Sequence, residues 1–160
     1  MLNGTELVLK PTEPEDLEHF FQFQLDPEAG YLAAFMPKDP SDKVAYLHKM
    51  TRHLKDPTNH TRTIFLRDRI VGSIAKFEME GKTEITYWID RKFWGQGIAT
   101  KALENFITLE HARPVYARVA FDNFGSQRVL LKCGFEKTGH DRGFANARQA
   151  EIEEFIYQLI

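Results

Sequence analysis

Residues 87–103, YWIDRKFWGQGIATKAL, read as a strand that enters a glycine-containing turn and leaves it as a helix. No other segment restricts the fold as much. A strand–turn–helix junction leaves backbone N–H groups without partners, and the helix dipole makes that end attractive to anions. Gly95 and Gly97 can take backbone angles that other residues resist, and they let a phosphate come close to the main chain. Ala99 is small enough to keep that approach open. The segment therefore predicts a pyrophosphate-type binding turn, against the plainer alternative of glycines that merely make a connection. Its spacing is not that of a P-loop. A dinucleotide fingerprint is also absent, because Thr100 stands where a Gly or Ala is required.

The flanking sequence supplies a sheet and helices around this junction. Residues 5–11 alternate enough for an opening strand. Thr12 and Glu15 have capping-box spacing ahead of a helix carried by Leu17, Phe20, Phe21 and Leu25. Pro27, Gly30, Pro37 and Pro40 punctuate residues 26–40, which read as an irregular connection. Asp39-Pro40 then looks like the start of a second helix bearing Val44, Leu47, Met50 and Leu54. The hydrophobic period changes to two over 61–67, 69–79 and 82–90, with tight turns near Asp68 and at Glu80-Gly81. After the glycine turn, Ile98, Ala102, Leu103, Phe106, Ile107 and Leu109 line one helical face, which Pro114 ends. A strand over 115–121, a short helix over 125–133 closed by Gly134, and strands at 135–139 and 151–160 complete the chain. This order predicts an α/β (α+β) fold: a central, mostly antiparallel mixed sheet flanked by helices. No linker divides it, so 1–160 reads as a single domain.

Composition removes several function classes. A 160-residue chain buries roughly 70% of its unfolded surface and needs no staple. Twenty-one basic residues against 23 acidic leave a net charge of −2, and with no basic block no nucleic-acid partner is expected. Cys133 is the only cysteine, which excludes an internal disulfide and a Cys-based zinc cluster. His48 and His53 are five apart and do not share a helix face, so no metal is expected. No stretch approaches the ~20 apolar residues of a membrane helix, and MLNGTELVLK lacks a charged leader followed by an apolar run. A cytoplasmic location without membrane contact is the expectation. Lys49, Arg52, Lys55 and Arg62 read as a solvated basic face. The thirteen phenylalanines mostly fall where a regular period would bury them.

A second motif narrows the reading. FDNFGSQRVLLKCGFEKTG, residues 121–139, puts Asn123 at a strand end, Ser126 near a helix start and Cys133-Gly134-Phe135 at the helix exit. Together with Tyr87-Trp88 and Trp94-Gly95-Gln96-Gly97-Ile98-Ala99-Thr100, it resembles the GCN5-related N-acetyltransferases (GNAT), most of all their RimJ/RimL-like branch. The resemblance is specific over about residues 84–139 and follows element order over most of the chain. It implies a GNAT-like domain that moves an acetyl group from acetyl-CoA to a primary amine by direct attack in a ternary complex. The acceptor would be a protein N-terminus or a small-molecule amine, and the protein a monomer or homodimer. The resemblance further implies that Gly95, Gln96, Gly97, Ile98, Ala99 and Thr100 offer backbone donors to the pyrophosphate. Trp88, Ile89 and Asp90 would pair with the pantetheine arm, and Asn123 and Ser126 would contact it near the thiol. Thr86 departs from a Gly common before the Tyr-Trp pair, and Trp94 from a common Gln or Arg. The other reading is a non-catalytic acyl-CoA-binding or regulatory domain.

Amine attack on a thioester requires a proton acceptor, because an amine of pKa ~10 is mostly protonated at neutral pH. Glu84 shares a strand face with Thr86 and Trp88 and is the leading base candidate; Glu78 is second. The plain alternative for Glu84 is a solvated or cross-strand-paired carboxylate. Ser126 is the candidate proton donor to the departing thiolate, or else a helix-start cap and cofactor contact. No tyrosine lies between Tyr116 and Tyr157, so the short helix supplies no phenol. Cys133 is expected to be a small buried residue rather than a nucleophile. A polar loop at 140–149, with Arg142, Phe144 and Arg148, is expected to flank the acceptor together with Tyr31, Phe35 and Met36 of the 26–40 connection.

Overall fold

The computed structural model describes residues 6–160, so Thr5 of the expected opening strand lies outside the described residues. Strands β1 (Leu7–Pro11), β2 (His60–Leu66), β3 (Arg69–Met79), β4 (Lys82–Ile89), β5 (Val115–Ala120), β6 (Glu136–Ala145) and β7 (Ala150–Leu159) form one seven-stranded sheet, ordered β1-β2-β3-β4-β5-β7-β6. Every neighbouring pair is antiparallel except β4 and β5. The helices are α1 (Leu17–Gln24), α2 (Pro27–Ala33), α3 (Lys43–Lys55), α4 (Ile98–Leu109) and α5 (Phe124–Lys132). This is the mixed, mostly antiparallel sheet flanked by helices that the sequence predicts. Glu80 and Gly81 make the β3–β4 turn at φ 52 and 77, as the Glu-Gly pair anticipates. No helix among the described residues is long and apolar enough to cross a membrane.

Register assigns side chains to the two faces of the sheet. Ile85, Tyr87 and Ile89 of β4 point to one side, with their neighbours Ile74, Val115, Ala117 and Tyr157. There they bury against Ile98, Ala102, Leu103 and Phe106 of α4 and Leu130 of α5. Glu84, Thr86 and Trp88 alternate to the opposite side. Leu17, Phe20 and Phe21 of α1 are buried outside that main cluster, with α1 packed on β3 and α2 on β5.

Four local readings change. The expected Thr12–Glu15 capping box is displaced by one residue: Asp16 accepts from the Glu13 N–H at 2.9 Å and from Thr63 Oγ1 at 2.8 Å. Residues 26–40 are not wholly irregular, because Asp26 accepts from the Ala29 N–H at 3.0 Å and starts α2 with Pro27 at its first position. In the same way Asp42, not Asp39, caps α3. The expected loop at 140–149 is mostly strand: β6 and β7 continue to a turn at 146–149. As the edge strand, β6 exposes residues on both faces, which hides its period in the sequence. The phenylalanines divide as well. Phe20, Phe21, Phe106 and Phe135 are buried, whereas Phe35, Phe121, Phe124 and Phe144 are exposed.

Candidate active site

The parallel strands β4 and β5 pair at only two positions, Thr83 with Val115 and Glu84 with Tyr116, and then diverge. Beyond that point the inner edge of β4 has no strand beside it. The Asp90 N–H donates to Val71 O of β3 at 2.8 Å. Because successive residues of a strand point their backbone groups to alternate edges, the N–H and C=O groups of Tyr87 and Ile89 face the gap. Trp94 Nε1 takes the Ile89 carbonyl at 2.9 Å, leaving the two amides and the Tyr87 carbonyl for an extended ligand. The gap widens into a cleft of about 670 Å³ between the end of β4, the glycine turn and α5.

The glycine turn forms the anion-attracting end. Gly95 and Gly97 both sit in the left-handed region at φ 78, and Gly97 ends the turn as the N-cap of α4. The first helical bond runs from the Lys101 N–H to Gly97 O at 3.1 Å. The amides of Ile98, Ala99 and Thr100 therefore have no carbonyl within the helix to donate to. A Cβ built on either glycine meets nothing within 4 Å, so the space in front of the turn is open. The residues present fit a diphosphate.

Of the residues expected to hold the cofactor, Trp88, Ile89, Gly95, Gly97, Ile98, Ala99, Thr100, Asn123 and Ser126 line this cleft. Asp90 and Gln96 do not. Asp90 accepts from the Lys92 N–H at 3.3 Å and starts a single 3-10 turn, Arg91–Phe93. Gln96 stands exposed at the tip of the turn. Asn123 is first an α5 cap: its Oδ1 accepts from the Ser126 N–H at 3.3 Å, and its Nδ2 donates to Leu32 O of α2 at 3.4 Å.

Two features of the cleft wall are not readable from spacing. Tyr87, on the core-facing side of β4, carries its hydroxyl to within 2.6 Å of Ser126 Oγ. The phenol that α5 lacks thus arrives from the strand. Burial pushes this phenol up to about 12, so it stays protonated at neutral pH, and either hydroxyl of the pair can donate to the other. Trp88 Nε1 is buried without a partner among the described residues. An orphaned indole N–H beside a cleft is a donor kept for a ligand.

Glu84 lies on the opposite face of β4 and is 3% exposed. Burial raises its pKa above the ordinary carboxylate value, and Arg118, with Nε 3.9 Å from Oε1, opposes that rise in part. Two residues along the same face, Thr86 is exposed although β4 is the middle strand. Glu78 is exposed and pairs with Lys76 at 3.6 Å.

The two segments expected at the acceptor side are tied to one another. Asn146 Nδ2 donates to Met36 O at 2.7 Å, and the Ala147 N–H donates to Ala34 O at 3.1 Å. Arg148 donates to Tyr31 O at 2.6 Å and grips Asp122 through two bonds of 2.9 and 2.8 Å. Its guanidinium lies 3.9 Å over the Tyr31 ring. The Arg148 side chain is only 6% exposed, and it holds the Asp122 carboxyl below the usual carboxylate value.

Residues 6–136 match the model of the Acetyltransferase (GNAT) domain. The chain belongs to the GNAT acetyltransferase family. An uncharacterized N-acetyltransferase, p20 of Bacillus licheniformis, is 26% identical over 168 residues, covering 96% of this chain and 92% of its own. Among solved structures, RimL, a ribosomal L7/L12 alpha-N-protein acetyltransferase in complex with coenzyme A, superposes with a TM-score of 0.85 at 18% identity, over 98% of this chain and 94% of that one. Spermidine N-acetyltransferase from Vibrio cholerae, with CoA and spermine, gives 0.77 at 17% identity, over 96% and 95%. The fold is shared with these acetyltransferases.

Proposed function

We propose that this GNAT protein, acting as one catalytic domain over residues 1–160, transfers the acetyl group of acetyl-CoA directly to a primary amine in a ternary complex. The split between β4 and β5 carries the reading. It offers strand-like backbone partners for a pantetheine arm, with an open helix N-terminus at one end and a buried carboxylate at the other. The Gly95 and Gly97 turn and the amides of Ile98, Ala99 and Thr100 bind the diphosphate, while Trp88, Ile89, Asn123 and Ser126 hold the arm. Holding thioester and amine together supplies much of the acceleration. The free amides of the β4 edge, with Trp88 Nε1, stabilise charge developing on the acetyl oxygen.

Glu84, whose carboxyl pKa burial raises above the ordinary value, accepts the amine's proton, directly or through water. Ser126 donates to the departing thiolate. Tyr87 acts through it: a phenol that donates to Ser126 Oγ leaves the serine proton free to point into the cleft. The candidate acceptors are an N-terminal amine, as in the name of RimL, and a small polyamine, as in that of the Vibrio enzyme. Shared fold and cofactor cleft do not choose between them.

The test is release of free CoA thiol from acetyl-CoA across a panel of peptides with free N-termini, polyamines, amino acids and aminoglycosides. Turnover with any of these supports the transferase reading. Calorimetric binding of CoA without turnover on the whole panel would assign the chain to the non-catalytic acyl-CoA-binding class instead.

A further inference from the structure

The net charge of −2 conceals an uneven distribution around the cleft. Arg128 and Lys132 both line it, four residues apart on α5 and so on one face of that helix. Both are exposed, and neither has an ion-pair partner among the described residues. Among the described residues, the one acid in the lining, Asp122, is already held by two hydrogen bonds from Arg148. Glu104, the acid on the facing helix, pairs with Lys101 at 3.9 Å. The two cations therefore face the cleft uncompensated.

Their place along the cleft separates them from the thioester end. Ser126, at the start of α5, meets Tyr87 of β4. At the other end of α5, Cys133 Sγ lies 3.6 Å from Thr100 O in the first turn of α4. Lys132 therefore stands beside the helix N-terminus that takes a diphosphate, with Arg128 one turn back. Backbone amides on the α4 side already serve the diphosphate, so two free side-chain cations across the cleft suit a further phosphate nearby.

We infer that Arg128 and Lys132 form a subsite for the 3′-phosphate of CoA, a terminal phosphomonoester distinct from the diphosphate. The inference rests on the acetyl-CoA reading above. A phosphomonoester carries about −1.5 to −2 charges at neutral pH and accepts charge-assisted hydrogen bonds from both groups. In this arrangement the glycine turn recognises what all nucleotide diphosphates share. The α5 cations select the ligand that bears a third phosphate.

The test compares CoA with dephospho-CoA by calorimetry on the intact protein, in wild type and in Arg128→Ala/Lys132→Ala. Wild type is expected to bind CoA about tenfold more tightly than dephospho-CoA, as one strong charge-assisted contact would give. The double variant should lose that factor for CoA and keep its affinity for dephospho-CoA. Lys49→Ala/Lys55→Ala, which removes two exposed cations of α3, controls for overall charge and should leave the ratio intact. Equal affinities of wild type for the two ligands would overturn the subsite while leaving the acetyl-CoA reading in place. So would a double variant that weakens both equally, which would assign the cations to the diphosphate. No binding of CoA at all would remove both.

Discussion

The proposed cofactor side and the proposed acceptor side of this molecule are built from different materials. On the proposed cofactor side, the groups on offer are mostly backbone: the inner edge of β4, the turn at Gly95 and Gly97, and the first amides of α4. On the acceptor side, side chains fasten α2 to the β6–β7 turn, with Arg148 joining Asp122, Tyr31 O and the Tyr31 ring. Backbone recognition depends on a few glycines and on strand order, and it tolerates wide change elsewhere. A side-chain lattice depends on each of its members. The comparison explains how a family can share one donor while its members take different acceptors.

Gly97→Leu is the sharpest way to break the cofactor side. A side chain there is strained at φ 78 and fills the open space before the α4 amides. CoA affinity should fall by more than about a hundredfold, the loss of several charge-assisted bonds. An unchanged circular dichroism spectrum would show that the fold survives.

Glu84→Gln tests the chemistry between the two sides. The rate at neutral pH should drop about a hundredfold, the usual worth of a positioned base, with CoA affinity unchanged. Wild-type activity should rise with pH through a pKa above the ordinary carboxylate value, and the variant should lose that limb. A raised folded-state pKa also means that stability is full below the unfolded value and declines as pH rises through the folded one. Glu84→Gln should therefore match or exceed wild-type stability at neutral pH while being far less active. Equal activity from pH 6 to 9 would remove Glu84 as the base.

Arg148→Ala is aimed at the acceptor lattice. Loss of a largely buried guanidinium with two bonds to Asp122 should reduce unfolding free energy by about 2 kcal/mol. It should raise the KM for the amine much more than that for acetyl-CoA. Asp122 has a depressed pKa, so its contribution is present above the unfolded value and is lost as pH falls through the folded one. The variant's stability should accordingly depend less on pH in that acid range. Lys at this position should not rescue, because it cannot form the two-pronged contact.

Tyr87→Phe should have the smallest effect, about a tenfold loss in kcat with KM for acetyl-CoA unchanged. If Tyr87 acts through Ser126, the double variant with Ser126→Ala should be no worse than Ser126→Ala alone. Additive losses would separate the two hydroxyls.

The glycine turn and the helix ends were legible because their signals are local. Glycine at a left-handed position, a strand feeding a helix and Gly134 at a helix end each follow from nearby residues, and Gly97 and Gly134 occupy those conformations at φ 78 and 90. Local spacing also put Asp26-Pro27 within reach as a helix start, although the prolines and Gly30 around it argued for a loop. Edge exposure hid β6, and a capping signal was read one residue early at Thr12. What no period contains is contact between distant segments. Asn123 with Leu32, Arg148 with Tyr31 and Tyr87 with Ser126 join residues 91, 117 and 39 apart.

By itself, then, the sequence determined the mixed sheet, the glycine turn and the family to which they belong, because backbone conformation and hydrophobic period are written in neighbouring residues. The tertiary structure decided which groups line the cleft and which are buried beside it. It parted β4 from β5 after two residue pairs, buried Glu84 beside Arg118 and brought the Tyr87 phenol to Ser126. It also left Arg128 and Lys132 on the cleft wall without an ion-pair partner among the described residues. Those outcomes depend on strand divergence and desolvation, which arise only when the whole sheet has closed.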